Sequence, residues 1–141
     1  MRILLIEDNE SNAYLAQFLL ERRGHHVDVA PTGGEGVGLA RTTDYDLVLL
    51  DLRLPDGDGC DFVASLIPAE RINPPAVIAV SAHALAADRA RAIEVGCRAF
   101  MPKPIDVTTF ADRIEEIAAT RLGRAATAGD PAKGVRPTDS L

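Results

Sequence analysis

Four apolar runs of the sequence are followed by side chains that carry charge or donate a hydrogen bond. These side chains are Glu7 and Asp8 after the first run, Asp51 at the end of DLVLLD, Ser81 after AVIAV and Lys103 within MPKP. A buried carboxylate is unfavourable unless it is paired, hydrogen-bonded or bound to a metal ion. We therefore expect these residues to form the functional site of the protein.

The chemistry that this set of residues favours is phosphoryl transfer. Three carboxylates in one pocket repel each other, and a divalent cation relieves that repulsion. Mg2+ suits the pocket because it binds a few carboxylates, waters and phosphoryl oxygens. Asp51 is predicted to be the nucleophile that forms an aspartyl-phosphate. Ser81 is predicted to donate its hydroxyl to one phosphoryl oxygen, and Lys103 to neutralise another.

The elements that must position these residues are short β-type runs separated by helix-type segments, which predicts an α/β domain with a parallel sheet. Most of the runs are almost wholly apolar, as in strands that helices cover on both faces. The second run alternates more and is expected at an edge of the sheet. The predicted strands are residues 2–6, 26–30, 46–50, 76–80 and 98–101.

Five helices are predicted between and after these strands. The first helix follows from a stripe of Leu15, Phe18 and Leu19 and from Gly24, because glycine favours the left-handed conformation just after a helix end. The fifth helix is expected to begin behind a cap at Asp106. The other three helices are predicted at residues 34–42, 61–66 and 84–95.

The predicted fold is a flavodoxin-like, doubly wound sheet of five parallel strands in the order 2-1-3-4-5. In such a sheet, ligands bind at the carboxyl ends of the strands where the winding reverses, between strands one and three. Strands one, three, four and five are then neighbours. The polar residues that follow these four strands are therefore predicted to meet in one pocket.

Four segments together resemble the receiver domain of two-component response regulators, the CheY-like family. They are ILLIEDNE, DLVLLDLRLPDGDG, VIAVSAHA and FMPKP, and the resemblance spans residues 1–120. It implies that Glu7 and Asp8 are metal-binding acids and that Asp51 is the phosphorylation site. It also implies that the backbone carbonyl of Arg53 is a further ligand of the Mg2+ ion.

The resemblance also implies which residues form the conformational switch and which affect the lifetime of the phosphoryl group. Ser81 is expected to be the switch hydroxyl and Phe100 the switch aromatic, a position that is often Tyr in the family. Phe100 can rotate inward behind Ser81 but cannot form a hydrogen bond there. Arg53 and His83 occupy positions that tune how readily water reaches the phosphoryl group, and Lys103 is expected to precede a cis peptide bond.

The resemblance predicts a single-domain response regulator of a phosphorelay, a signalling switch rather than a metabolic enzyme. Its partners would be a histidine kinase or a histidine phosphotransfer protein and a downstream protein effector. Residues 121–141 have no periodic apolar positions and are expected to be a disordered tail without an effector domain.

Two surfaces are predicted to contact these partners. The first is an apolar area of the first helix that lies off its core stripe, formed by Ala13, Ala16 and Leu20. The second is the face of the fourth helix, the fifth strand and the fifth helix.

Two other functions remain open from the residues alone. The protein could be a phosphate shuttle or sink that has no conformational output. It could also be a flavodoxin-like binding protein or enzyme that shares only the fold. The low aromatic content of 4% and the lack of Trp argue against a stacked flavin ring.

Composition excludes several further classes. The net charge of −6 and a pI near 5.0 argue against a nucleic-acid surface, which requires clustered Lys and Arg. No run of the sequence is long enough to span a bilayer, and the first residues do not resemble a signal peptide. We therefore expect a cytoplasmic protein that binds neither nucleic acid nor membrane.

The remaining conspicuous side chains are expected to be structural. Three phenylalanines are assigned to the core: Phe18, Phe62 and Phe110. The cysteines lack a CxxC spacing and are expected to be isolated thiols: Cys60 and Cys97. The adjacent histidines make a poor chelate and are expected in solvent: His25 and His26.

Overall fold

A computed structural model describes residues 1–82 and 85–123 of the chain. Its strands are β1 (Arg2–Ile6), β2 (His26–Ala30), β3 (Leu47–Asp51), β4 (Arg53–Leu54), β5 (Gly57–Asp58), β6 (Ala76–Ser81) and β7 (Ala99–Pro102). The five longer strands form a parallel sheet in the order β2-β1-β3-β6-β7. This confirms the predicted order 2-1-3-4-5, because β6 and β7 are the fourth and fifth of the longer strands.

The burial of each strand follows its composition. Every residue of β3 and β6 is buried, as the apolar runs predict for strands that are covered on both faces. Strand β2 alternates buried positions with half-buried and exposed ones, and it lies at an edge of the sheet as predicted. The strands β3 and β6 also include Asp51 and Ser81, which places both side chains on the rigid sheet rather than in the loops that follow.

Helices cover both faces of the sheet in two layers. The helices are α1 (Glu10–Glu21), α2 (Gly33–Thr42), α3 (Val63–Leu66), α4 (Ala86–Glu94) and α5 (Phe110–Gly123), and a 3-10 turn at Gly59–Phe62 leads into α3. One core cluster joins α1 and α5 to the sheet, and the other joins α2, α3 and α4 to the opposite face. The five predicted helices are all present. The Asp106 carboxylate accepts the Thr108 amide at 2.9 Å and so caps the turn that precedes α5.

The buried face of α1 differs from the prediction. Ala13, Ala16 and Leu20 pack into the core, whereas Phe18 is 45% exposed. The prediction that Phe18 belongs to the core is therefore wrong, and so is the prediction that the two alanines and Leu20 offer a partner surface. Both stripes of α1 are apolar, and the small alanine side chains let the helix backbone lie closer to the sheet.

Other structural expectations have mixed outcomes. Phe110 is buried and Phe62 packs partly against the core, as predicted. Cys60 and Cys97 are buried free thiols. His26 is exposed, but the side chain of His25 is only 12% exposed and its Nε2 lies 2.8 Å from Glu115 Oε2. The solvated state predicted for His25 is wrong because α5 covers this side chain.

Helix α5 continues to Gly123, three residues past the predicted boundary at residue 120. Residues 124–141, the rest of the predicted tail, lie outside the described residues, as does His83 with its predicted role in phosphoryl lifetime. Within residues 1–82 and 85–123, no helix has both the length and the apolar character that a membrane-spanning segment requires.

Candidate functional site

The carboxyl ends of four neighbouring strands bring together the polar residues that the sequence singled out. Glu7 follows β1, Asp51 ends β3, Ser81 ends β6 and Lys103 follows β7. Glu7 and Asp51 are each only 6% exposed, and Ser81 is buried as well. Polar groups this deeply buried need partners that compensate for the lost water.

Lys103 supplies an ionic partner to two of these residues. Its Nζ donates to Glu7 Oε1 at 2.6 Å and to Asp51 Oδ2 at 3.1 Å. The Lys103 backbone amide donates to the Ser81 carbonyl at 2.9 Å, which continues the pairing of β7 with β6. The peptide bond from Lys103 to Pro104 is cis, as the family resemblance implies.

The three predicted metal-binding carboxylates form one cluster. Glu7, Asp8 and Asp51 each offer a carboxylate oxygen, and these oxygens all lie within 4.8 Å of one another. Glu7 and Asp51 are buried while Asp8 is exposed, so the cluster opens toward solvent at Asp8. A set of hard oxygen donors with one open side fits Mg2+, which retains water ligands.

Burial and neighbouring charges shift the pKa values of Glu7 and Lys103. Burial raises the pKa of Glu7 above its ordinary value, and the nearby Asp51 charge adds to the rise, although the hydrogen bond from Lys103 opposes it. Burial acts to lower the pKa of Lys103, but the bond to Glu7 and the charge of Asp51 outweigh it, so this pKa is raised. Lys103 is thus held as a cation.

The backbone around Asp51 fixes the position of its side chain. The Arg53 amide donates to Asp51 Oδ1 at 3.0 Å. The following strands β4 and β5 form a two-stranded antiparallel hairpin that the sequence analysis did not predict. Gly59 ends this segment against the Asp51 backbone, where a Cβ atom would lie 2.5 Å from the Asp51 carbonyl oxygen. Only glycine allows this close approach.

Phe100, the predicted switch aromatic, is buried in the cluster that joins α2, α3 and α4 to the sheet. Its strand β7 pairs with β6, where Phe100 lies opposite Ala79, two residues before Ser81. The guanidinium carbon of Arg89 on α4 lies 4.9 Å from the centre of the Phe100 ring. Arg53, the other predicted tuning residue, is exposed at the rim of the site.

A cavity of about 320 Å3 adjoins the ionic cluster on the α1 side of the sheet. Leu15 of α1, Ile105 and Phe110 contribute apolar walls, and Asp51 and Lys103 line the same cavity. The cavity therefore places an apolar surface directly beside the charged residues. Such a combination is typical of sites that bind a partner or ligand with both polar and apolar parts.

Some charged residues near the site were not predicted. Asp58 of β5 caps the 3-10 turn by accepting the Cys60 amide at 2.9 Å, and it also pairs with Arg91 of α4. Arg91 contacts Asp61 as well, at 3.2 Å. The dipeptide Asp56-Gly57 is a turn signal that could have indicated the hairpin, but no local pattern indicates the contacts to Arg91.

Comparison with known proteins decides the family. A family model of the response regulator receiver domain matches residues 3–115. The chain belongs to the response regulator receiver family. The receiver domain is similar to the polar-differentiation response regulator DivK of Brucella ovis, with 35% identity over 113 residues that cover 80% of this chain and 92% of DivK.

Two further similarities extend this result. The signal transduction histidine-protein kinase BarA of Shigella flexneri is 35% identical over 109 residues, which cover 75% of this chain but only 12% of BarA. The non-phosphorylated receiver domain of HemR from Leptospira biflexa has a TM-score of 0.77 and 36% identity, covering 89% of this chain and 98% of the other. A CheY-like receiver domain protein from Methanospirillum hungatei has a TM-score of 0.76 at 25% identity and confirms the CheY-like fold.

Proposed function

We propose that this receiver domain accepts a phosphoryl group on Asp51 from a histidine kinase or a histidine phosphotransfer protein. The observation that carries the proposal is the contact of Lys103 Nζ with Asp51 Oδ2 at 3.1 Å beside the Glu7, Asp8 and Asp51 carboxylates. A nucleophilic carboxylate, a fixed cation and a cluster of metal-binding oxygens are the parts that phosphoryl transfer requires. The family membership supports the same conclusion.

The transfer itself requires one bond to form and one to break. A carboxylate oxygen of Asp51 attacks the phosphorus of the donor phosphohistidine, and the bond between phosphorus and the imidazole nitrogen breaks. Lys103 neutralises charge on the phosphoryl oxygens, and Ser81 donates its hydroxyl to one of them. Glu7, Asp8, Asp51 and the Arg53 carbonyl would hold Mg2+, which when bound offsets negative charge on the transferring group.

We propose that phosphorylation is read out at the β7 edge of the sheet, which α4 and α5 flank on opposite faces. Phe100 of β7 is buried in the cluster that includes α4, and Arg89 of α4 lies over its ring. This region is proposed to have two arrangements, and phosphorylation beside Ser81 shifts the balance between them. A downstream protein effector would recognise the face of α4, β7 and α5. The similarity to DivK, which the match covers over 92% of its length, favours signalling by the receiver domain itself.

The phosphodonor is proposed to dock beside α1. The predicted apolar area at Ala13, Ala16 and Leu20 is buried, so another part of α1 must serve. The cavity that Leu15 lines beside Asp51 offers an apolar surface next to the phosphorylation site.

A cytoplasmic location stays a prediction from the sequence.

Intact-mass measurement after incubation with acetyl phosphate tests the proposed acceptor. The wild-type protein is expected to gain one phosphoryl group in Mg2+ and none in EDTA, whereas Asp51→Asn gains none in either condition. Asp46→Asn is the matched control, because Asp46 immediately precedes β3, at the end opposite Asp51, and accepts the Arg2 amide at 2.8 Å. Equal modification of Asp51→Asn and wild type would remove Asp51 from its proposed role.

Amide hydrogen exchange with and without beryllofluoride, a phosphoryl mimic, tests the proposed output. We expect altered exchange in α4 and β7 when beryllofluoride and Mg2+ are both present. Altered exchange confined to the loops around Asp51 would instead indicate a phosphate shuttle without conformational output.

A further inference from the structure

Asp56 connects the loop that follows the phosphorylation site to the start of helix α2. It lies at the tip of the β4–β5 hairpin, and its carboxylate accepts the Gly33 amide at 3.0 Å and the Gly34 amide at 2.9 Å. These amides belong to the first turn of α2, 23 and 22 residues away in the sequence. The hydrogen bonds from Gly34 and Gly33 lower the pKa of Asp56, so it is a carboxylate near neutral pH.

The contact is distinct from the ordinary cap of α2. The N-cap residue Thr32 accepts the Glu35 amide with its Oγ1 at 3.1 Å. Thr32 thus belongs to the helix alone, whereas Asp56 ties the helix to the hairpin. Thr32 and Asp56 both cap this helix end, and of the two only Asp56 belongs to the segment that follows Asp51.

The hairpin has little stability of its own. It contains two residue pairs, Arg53 with Asp58 and Leu54 with Gly57. An isolated two-stranded hairpin is at best marginally stable in water, so its position depends on its contacts with the rest of the chain, among them the pair of Asp58 with Arg91. At the base, the Gly59 amide donates to the Leu52 carbonyl at 3.0 Å.

At the tip, Asp56 provides the hydrogen bonds to α2, and the close approach of α2 supports them. A Cβ atom on Gly33 would lie 2.3 Å from the Phe62 ring, so the start of α2 is pressed against the segment that follows the hairpin. The glycine at this position lets the helix come near enough for both bonds to Asp56.

The hairpin in turn positions Arg53. The Arg53 amide donates to Asp51 Oδ1 at 3.0 Å, and the Arg53 carbonyl is the proposed backbone ligand of Mg2+. Arg53 belongs to β4, so a hairpin released at its tip leaves both backbone groups less well fixed. The path from the helix to the site therefore runs from α2 through Asp56 to β4 and Asp51.

We propose that Asp56 is a positioning residue that holds the β4–β5 hairpin against α2 and thereby sets the affinity of the site for Mg2+. This inference rests on the proposed function, because it assumes that the metal binds at Asp51 and the Arg53 carbonyl. Asp56 itself lies at the far end of the hairpin and acts through the backbone.

Mg2+ titration of two variants separates positioning from capping. Asp56→Ala removes both bonds between the hairpin and α2, and Thr32→Ala removes the other cap of the same helix end without touching the hairpin. We expect Mg2+ binding, measured by calorimetry at a temperature where both variants are fully folded, to weaken about tenfold in Asp56→Ala. Thr32→Ala is expected to keep the wild-type affinity, although both variants lower the urea midpoint. Equal Mg2+ affinities in Asp56→Ala, Thr32→Ala and wild type would overturn the proposal.

Two further measurements keep this test separate from that of the proposed function. In metal-free protein, hydrogen exchange at the Arg53 amide is expected to be faster in Asp56→Ala than in wild type or Thr32→Ala. Asp56→Asn keeps one acceptor oxygen and is expected to have intermediate Mg2+ affinity. If wild type fails to bind Mg2+, the proposed function fails, whereas unchanged Arg53 exchange in Asp56→Ala overturns the positioning role alone.

Discussion

Replacing Lys103 by methionine removes the cation that pairs with two buried carboxylates while it preserves much of the side-chain volume. In wild type, Lys103 Nζ lies 2.6 Å from Glu7 Oε1 and 3.1 Å from Asp51 Oδ2. Removing one partner of a buried ion pair costs about 3–5 kcal/mol, because the remaining charge is left uncompensated. We expect about 3 kcal/mol here, the lower end of that range, because the Lys103 side chain is 16% exposed and Asp51 keeps its bond from the Arg53 amide.

Mg2+ is expected to reduce the stability difference between Lys103→Met and wild type. A ligand at one hundred times its dissociation constant stabilises the native state by about 2.7 kcal/mol. Lys103→Met lacks a cation that competes electrostatically with the metal, so we expect it to bind Mg2+ more tightly than wild type does. The difference in unfolding free energy between variant and wild type should therefore be smaller in Mg2+ than in EDTA.

Urea unfolding followed by far-ultraviolet circular dichroism measures this effect, since the chain contains no Trp. Arg113→Met is the matched control, because Arg113 is an exposed cation on α5. We expect Arg113→Met to change stability by less than about 0.5 kcal/mol in either solution. A loss below about 1 kcal/mol for Lys103→Met in EDTA, or a loss that Mg2+ does not change, would refute the electrostatic reasoning.

Three more outcomes follow from burial and hydrogen bonding. Leu20→Ala should lower the unfolding free energy by about 2–5 kcal/mol and Phe18→Ala by about 1 kcal/mol or less, because Leu20 is fully buried and Phe18 is 45% exposed; similar losses in urea unfolding would contradict the orientation of α1. Tyr45→Phe removes a 2.6 Å hydrogen bond to Asp28 that lowers the pKa of Asp28, and we expect this to cost about 1.5 kcal/mol of stability near neutral pH. The cost should disappear as the pH falls from 3.8, the ordinary pKa of Asp, through the lowered pKa of Asp28. A loss of stability that does not depend on pH would contradict this reasoning. Burial raises the pKa of Cys97 to about 12, so its labelling by a thiol reagent should be slow until urea unfolds the protein, and fast labelling of native protein would show that the site is open.

The convergence of the site residues was predictable from the sequence because it depends on the topology of a parallel sheet. Once the strands that end at Asp51 and Ser81 are recognised as neighbours, their polar residues must share one edge. The contacts of Lys103 with Glu7 and Asp51 show that these three side chains meet. The distances within the site and the directions of its pKa shifts could be obtained only from the three-dimensional structure.

Three other features were not predictable from local patterns. The buried face of α1 could not be chosen by hydrophobicity, because the stripe with Phe18 and the stripe with Leu20 are both apolar. Burial of His25 depends on Glu115 of α5, 90 residues away in the sequence. The bond between Asp56 and the first turn of α2 depends on tertiary packing in the same way.

Locating the phosphoryl group on the chain tests the central proposal most directly. The protein would be phosphorylated with acetyl phosphate in Mg2+, reduced with borohydride to convert the acyl phosphate into a stable residue, and digested for peptide sequencing by mass spectrometry. We predict reduction at Asp51 alone, and none when EDTA replaces Mg2+. Reduction at Asp8 or Asp58 in place of Asp51, or equal reduction at Asp51 in EDTA, would contradict the account.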